Sequence, residues 1–330
     1  MSNRFKNKNV FITGVCGSVG SETLKQISLE NPAQIIGIDN NESALFFLKE
    51  EYKHIKNIKL IQCDLGNKNS LISLLQGTHF VFHTAAKKHV ILSEDAPMEA
   101  VNTNIIGLQN VIEAAAVNKV QKVLFTSSDK AVSPTNVMGA TKLIGERLIL
   151  AAHDIFGSSK TVFLSTRFGN VLGSNGSVIP IFKKQIAQNN PITITDNRMS
   201  RFIMTLEQAV KLVIDSLFLA KGGEIFVTKM PVINIADLAT AMFAIAQKKP
   251  KINIIGIKKG EKIYEELISE EEANRTLELK DFFIVLPSKE KTGTRYHKTQ
   301  KLVNKVYQSD KEKALTAAEL KQYLIKNKLC

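Results

Sequence analysis

The chain has 330 residues, 44% of them hydrophobic and 23% charged, and a formal net charge of +13. That length predicts about two domains with ample core, and that composition excludes wholesale disorder. No apolar run approaches the roughly 20 residues of a membrane-spanning helix. The start, MSNRFKNKNVFITG, lacks the apolar stretch and cleavage site of a signal peptide, so a cytoplasmic protein is expected. Cys16, Cys63 and Cys330 are odd in number and lack ligand spacing, so free thiols are expected, with no metal and no disulfide framework. From Ser288 to Cys330, eleven Lys/Arg stand against four Asp/Glu. Because no nucleic-acid motif accompanies that charge, the expectation is a solvated surface or a field for a small anion, with no nucleic acid bound.

The first half alternates short apolar runs with helical stretches. NVFIT (9–13), QIIGI (34–38), IKLIQ (58–62), HFVFHT (79–84), KVLFTSS (122–128) and TVFLSTRF (161–168) are nearly continuous apolar segments. Such runs mark strands buried on both faces of a parallel sheet. SETLKQISLE, NESALFFLKEEYKHI and NIIGLQNVIEAAAVN between them read as helices. The expectation is an α/β fold, a Rossmann-like doubly wound parallel sheet.

TGVCGSVG (13–20) joins the first strand to the first helix. Gly14, Gly17 and Gly20 permit a tight turn and a close backbone approach to a pyrophosphate at the helix N-terminus. The spacing, G-x-x-G-x-x-G, fits the usual dinucleotide fingerprint only in part. Asp39 ends the second strand, where a carboxylate accepts from both ribose hydroxyls and repels a 2′-phosphate, so NAD is preferred over NADP. The alternative for Asp39 is a helix N-cap. Asp64, after the third strand, is placed to meet the adenine amino group or to form a turn.

After residue 170 the pattern loosens. Residues 170–200 are rich in Gly, Asn, Ser and Pro, 206–220 read as a helix, and EIFVTK (224–229) as a further strand. The expected division is a dinucleotide-binding domain over 1–169 plus about 201–232. A smaller, discontinuous mixed α/β domain takes about 170–200 plus 233–290. A basic segment over 291–330, with a final helix in LTAAELKQYLIKNK, packs on the body.

The run TSSDKAVSPTNVMGATK (126–142) resembles the active-site stretch of extended short-chain dehydrogenases. More narrowly it resembles the UDP-N-acetylglucosamine 4,6-dehydratases of the polysaccharide-biosynthesis family. HTAAKKHV (83–90), NTNIIG (102–107), RFGNVLGSNGSVIPIF (167–182), MSRFIMT (199–205), GGEIFV (222–227) and KKGEKIYEEL (258–267) are similar to the same family. The resemblance implies a tightly bound, recycled NAD that takes hydride from C4 of the sugar and returns it to C6. Meanwhile a base removes the C5 proton and an acid protonates the departing C6 hydroxyl.

By resemblance Asp129 is that acid and Lys130 that base, at the carboxyl edge of the fifth strand, where open α/β sheets hold ligands. Ser128 holds the C4 oxygen. Lys142 binds the nicotinamide ribose. Met138 stands where typical short-chain dehydrogenases have Tyr. A thioether neither gives nor takes a proton at neutral pH, so the C4 hydroxyl proton leaves by another group. The resemblance adds Ser18, Val19, Leu65, Ala85 and Ala86 to the cofactor set. It implies that the second domain binds the UDP-sugar through Lys87, Asn170, Ser177, Val178, Lys258 and Glu261, with Arg201 a bidentate phosphate contact. Met138 and the GSVGSE loop resemble more the branch that retains configuration at C5, so retention is preferred, with inversion the alternative because some inverting relatives also have Met. Relatives are dimers or hexamers, so a homo-oligomer is expected. Two alternatives remain: a UDP-sugar 4-epimerase on the same fold, and a non-catalytic nucleotide-binding module.

Overall fold

The computed structural model describes residues 3–156, 161–174, 176–288, 296 and 301–330. Six strands lie where the apolar runs place them: β1 (Asn9–Thr13), β2 (Gln34–Asp39), β3 (Ile58–Gln62), β4 (Phe80–His83), β5 (Lys122–Thr126) and β6 (Val162–Arg167). They pair in parallel in the order β3-β2-β1-β4-β5-β6. The order reverses beside β1, and ligands of open α/β sheets bind at the carboxyl ends near such a point. Phe11, Ile12, Val81, Phe82, Val123, Leu124, Phe163 and Leu164 are buried along these central strands. Helices on both faces exclude water from them, which is why the runs are continuous and not alternating.

The later strands are shorter: β7 (Asn170–Val171), β8 (Ile192–Ile194), β9 (Ser200–Met204), β10 (Ile225–Thr228), β11 (Val232–Asn234), β12 (Ile252–Ile254), β13 (Glu266–Ile268), β14 (Thr276–Glu278), β15 (Phe282–Val285), β16 (Lys301–Leu302) and β17 (Tyr307–Gln308). β10 adds in parallel to β6, and β15, β14 and β16 follow antiparallel, giving ten strands. This corrects the expected domain boundaries twice. Residues 276–285 belong to the large sheet, although they fall within the 233–290 assigned to the second domain. β9 pairs with β7 and β11 in a separate three-stranded sheet, although it falls within the 201–232 assigned to the first. The helix Leu206–Leu219 does pack on the large-sheet side, against the helix Ser18–Ser28 and β5.

The smaller layer buries Ile179, Phe182, Ile203, Ile233, Leu238 and Met242. The last helix, Ala317–Lys326, starts in a Thr316/Glu319 capping box and inserts Leu320 and Leu324 into that same core. The described part of the basic segment is therefore packed on the body. Residues 291–295 and 297–300 of that segment, and Asn175 of the 167–182 motif, lie outside the described residues.

Candidate active site

The glycine loop is built by backbone against backbone. Gly14 takes φ +67°, and a Cβ there would sit 2.6 Å from Ala85 Cα. A Cβ on Gly20 would sit 2.2 Å from the Gly14 carbonyl oxygen. Any side chain at either position would push the loop off its strand. The helix Ser18–Ser28, which includes Val19, starts from Gly17 with no side-chain cap, so its first turn presents the positive end of the helix dipole.

Asp39 Oδ2 accepts from the Cys16 N–H at 3.0 Å and Oδ1 from the Asn41 N–H at 3.0 Å. The following helix is capped by Asn41, whose side chain accepts from the Ala44 N–H. Asp39 is thus the loop's brace and not the cap. Burial, and then the Asp39 charge, push the Cys16 thiol up to about 12, which leaves it protonated and unreactive.

Asp64 accepts from the Gly66 N–H at 2.7 Å and from Asn40 Nδ2 at 3.2 Å, tying the ends of β2 and β3 together. Leu65 is buried beneath, and its carbonyl accepts from Asn110 Nδ2. The Ala85 N–H donates to Thr13 Oγ1 at 3.3 Å. The segment after Ala86 is fixed by Asn104, whose amide bonds the Lys87 N–H (2.8 Å), the Lys87 carbonyl (3.0 Å) and Thr141 Oγ1 (2.9 Å). The Lys87 side chain stays exposed. Asn104 lies in a π-helical turn, Asn102–Ile106, a geometry concentrated at functional sites.

The chemistry-bearing residues gather past the end of β5. Asp129–Ala131 forms a single 3₁₀ turn capped by Ser128. The Asp129 N–H donates to the Phe168 carbonyl just beyond β6. Asp129 is 0% exposed. Its Oδ1 accepts from Ser128 Oγ at 2.6 Å and from Lys130 Nζ at 3.0 Å, and its Oδ2 has no hydrogen-bond partner among the described residues. The helix Val137–Phe156 begins against this turn, because Gly139 lets its backbone approach the Lys130 carbonyl; a Cβ there would fall 2.3 Å from it. Met138, one residue earlier, is buried.

One turn along, Lys142 Nζ donates to the Thr126 carbonyl at 2.8 Å and stands 4.7 Å from the Phe125 ring centre. Burial lowers its amine to about 8, with Glu146 opposing. Burial, and then Lys142, hold His83 near 3, so it is a neutral ring bonded to Thr13 Oγ1.

Lys130 also meets Glu265, at 3.3 Å from Nζ to Oε1. Burial pulls the Lys130 ammonium down, but Asp129 and Glu265 outweigh it, and its pKa stands above the ordinary lysine value. In this state Lys130 is a cation in an ion pair, one proton transfer away from the acid-and-base pair expected of Asp129 and Lys130.

The expected sugar-nucleotide residues separate into two sets. Asn170, Ser177 and Val178 line the approach to the small layer. Asn170 Nδ2 reaches the Phe202 carbonyl at 3.4 Å. Ser177 is the N-cap of the helix Val178–Ala187, makes no side-chain cap bond, and has a buried Oγ with no hydrogen-bond partner among the described residues. Lys258 and Glu261 close one turn on each other. That turn docks through the Gly260 carbonyl onto Asn136 Nδ2 at 2.9 Å, beside the catalytic helix.

Arg201, expected as a phosphate contact, is held by protein groups in this structure. Its Nη1 donates to the Ser200 and Ile263 carbonyls, its Nη2 to the Lys262 carbonyl and the Met199 sulfur, and its Nε faces Glu265 at 3.7 Å. A guanidinium has five N–H donors, and all five are directed into protein. The fork holds the 262–265 segment through the Ile263 and Lys262 carbonyls. Glu265 and Asn104 were missed as individual residues. Each lies in a motif already singled out, KKGEKIYEEL and NTNIIG.

The family model described as polysaccharide biosynthesis protein matches residues 10–287. The chain belongs to that family. The solved structure of Pen from Bacillus thuringiensis is 44% identical, covers 99% of each chain, and superposes with a TM-score of 0.92. The UDP-N-acetylglucosamine 4,6-dehydratase (inverting) of Campylobacter jejuni is 41% identical over 287 residues, which span 86% of this chain and 84% of the relative. The UDP-glucose 4-epimerase of Rickettsia bellii is 42% identical over 287 residues, spanning 84% and 83%. A dTDP-glucose 4,6-dehydratase of Streptomyces venezuelae, solved with NAD bound, shares the fold alone: 18% identity, TM-score 0.70, 77% and 86% covered. The chain is an enzyme of the nucleotide-sugar dehydratase and epimerase superfamily. No helix among the described residues is long and apolar enough to cross a membrane.

Proposed function

We propose that this protein is an NAD-dependent UDP-N-acetylglucosamine 4,6-dehydratase. The observation that carries the reading is the Asp129–Lys130 contact of 3.0 Å at the carboxyl end of β5, where a dehydratase needs an acid and a base on adjacent sugar carbons. Both reactions must take a proton from the C4 oxygen, which Met138 cannot do; what favours the dehydratase over an epimerase is the acid-and-base pair that only water loss between C5 and C6 requires.

The glycine cradle, too tight for any Cβ, and the Asp39 carboxylate at the end of β2 fit a dinucleotide, held by Gly14, Gly17, Ser18, Val19, Gly20, Asp39 and Lys142. Bound there, the nicotinamide supplies an acceptor for the C4 hydride and returns it to C6. Asp39 favours a free 2′-hydroxyl and so NAD over NADP. Lys142, anchored on Thr126, places a cation beside the ring.

Lys130 takes the C5 proton, and Asp129 delivers one to the C6 oxygen, which leaves as water. Ser128 orients Asp129 and relays the C4 hydroxyl proton to water as the C4 hydride leaves, and Asp129 regains a proton from water after the C6 oxygen has gone. Retention at C5 follows if Lys130 is the only proton carrier there, since it returns a proton to the face it came from. The Campylobacter relative's inverting reaction makes this the sharpest point to measure. Product NMR after incubation with UDP-N-acetylglucosamine tests it: a 4-keto-6-deoxy sugar with unchanged C5 supports the reading, and an inverted C5 shows a second donor.

A further inference from the structure

Lys130 stands between two carboxylates, and the second comes from a distant part of the chain. Nζ is 3.0 Å from Asp129 Oδ1 and 3.3 Å from Glu265 Oε1. Glu265, immediately before β13, is 2% exposed. Its N–H donates to Ser309 Oγ at 2.9 Å and its carbonyl accepts from the Ser309 N–H at 2.9 Å. Ser309 Oγ bonds Ser200 Oγ at 2.8 Å. The Arg201 side chain, with its four terminal hydrogens committed, turns Nε toward Glu265. Three segments thus fix one carboxylate whose Oε2 has no hydrogen-bond partner among the described residues. A carboxylate whose only role was to hold the fold would be expected to have both oxygens paired.

We propose that Glu265 is a positioning residue for dehydration, the permanent counter-ion that aims the Lys130 amine and balances the ammonium formed when that amine takes the C5 proton. The inference rests on the reading of Lys130 as the C5 base. In that step the C5–H bond breaks, its proton goes to Lys130 Nζ, and its electron pair forms the C5–C6 double bond. The C6–O bond breaks, and the proton carried by Asp129 leaves with the oxygen as water. While Asp129 carries that proton it is neutral and balances no charge. Glu265 is then the carboxylate left beside Lys130. A base oriented and charge-balanced by a third, fixed group is a recurrent catalytic device.

The charged groups facing the pair are Asp129, Arg201 and Lys262, whose Nζ is held by the Val132 carbonyl. Burial and Asp129 raise the Glu265 pKa against Lys130, Arg201 and Lys262. With Asp129, Glu265 is one of two charges that hold the Lys130 proton.

The test compares wild type, Lys130→Ala, Glu265→Gln and Glu265→Asp, each purified with cofactor and incubated with UDP-N-acetylglucosamine across pH. Glu265→Gln is expected to lower kcat by at least about tenfold with KM little changed. The active pair holds one proton, so losing it ends activity at high pH. Without the Glu265 charge that alkaline limb moves down by about one pH unit or more. Glu265→Asp, with its charge drawn back, gives a smaller shift, and serves alone if the Gln variant does not fold. If Lys130→Ala is dead while Glu265→Gln and Glu265→Asp keep the wild-type kcat and alkaline limb, Glu265 is not the counter-ion. A lower melting temperature with an unmoved limb assigns it to the fold and equally overturns the proposal. If wild type releases no water, or Lys130→Ala keeps turnover, the reading of Lys130 itself is at fault.

Discussion

Two cations in this protein, the buried Arg167 and the half-buried Lys130, each sit between two carboxylates, and they differ in how completely they are paired. Arg167, 1% exposed, bonds both oxygens of Glu146 (3.0 and 2.6 Å), both of Glu272 (2.9 and 3.0 Å) and the Leu267 carbonyl at 2.7 Å. Burial alone would raise Glu272, but Arg167 outweighs it and holds that carboxyl at about 2. Around Lys130, Asp129 and Glu265 each leave one buried oxygen without a hydrogen-bond partner among the described residues, and the Glu265 pKa is raised. One cluster is closed and its protons are fixed. The other is incompletely satisfied, with one oxygen of each carboxylate left open to a further donor. The lesson is that burial and ion pairing alone do not separate a structural charge cluster from a candidate catalytic one; the completeness of the pairing differs between these two.

The largest expected effect falls on the open cluster. Lys130→Ala should lower dehydration by roughly a thousandfold while bound NAD stays near wild type, with a lower melting temperature because Asp129 and Glu265 lose their shared cation. Mass spectrometry and absorbance measure both, and retained turnover would remove Lys130 from the chemistry. The closed cluster should respond chiefly in stability. Arg167→Met strands two buried carboxylates and should cost about 3–5 kcal/mol in urea unfolding. An unchanged midpoint would mean that the closed cluster is not structural.

The contrast explains what the sequence revealed. β1 to β6 were readable because each is a continuous apolar run buried on both faces. Most of β7, β8, β9 and β11 to β17 span only two to four residues, and they lack the regular alternation with helices that marked β1 to β6. The strands at 276–285 were therefore assigned to the wrong layer. The tight turn at Gly14 and Gly20 was readable because a close backbone approach is a local matter. Glu265 was not, because its meaning comes from Ser309 and Arg201 holding it against a turn far away in the chain. The contacts of Arg201 were hidden for the same reason: the Ile263 and Lys262 carbonyls that take its donors are predicted by no local pattern.

Two smaller effects sharpen the account around the cofactor. Asp39→Ala removes the acceptor for the Cys16 N–H and for ribose. It should weaken NAD binding by about 10- to 100-fold in a titration, with dehydration at saturating NAD little altered. Equal affinity would return Asp39 to a turn-forming role. Lys142 has the smallest expected effect on stability. Its pKa is depressed to about 8, so the charged amine opposes folding. That penalty is complete below pH 8 and fades as pH rises toward the ordinary lysine value. Lys142→Met should therefore stabilise the cofactor-free protein by about 1 kcal/mol at pH 7 and not at pH 10.5. A variant that melts lower at pH 7 would contradict the burial penalty.

The most direct test is mass spectrometry of UDP-N-acetylglucosamine incubated with the wild-type protein and with Lys130→Ala. The account predicts a product lighter by one water with the first and unaltered substrate with the second. An isomer of equal mass from the wild type, or the same water loss from both, would contradict it.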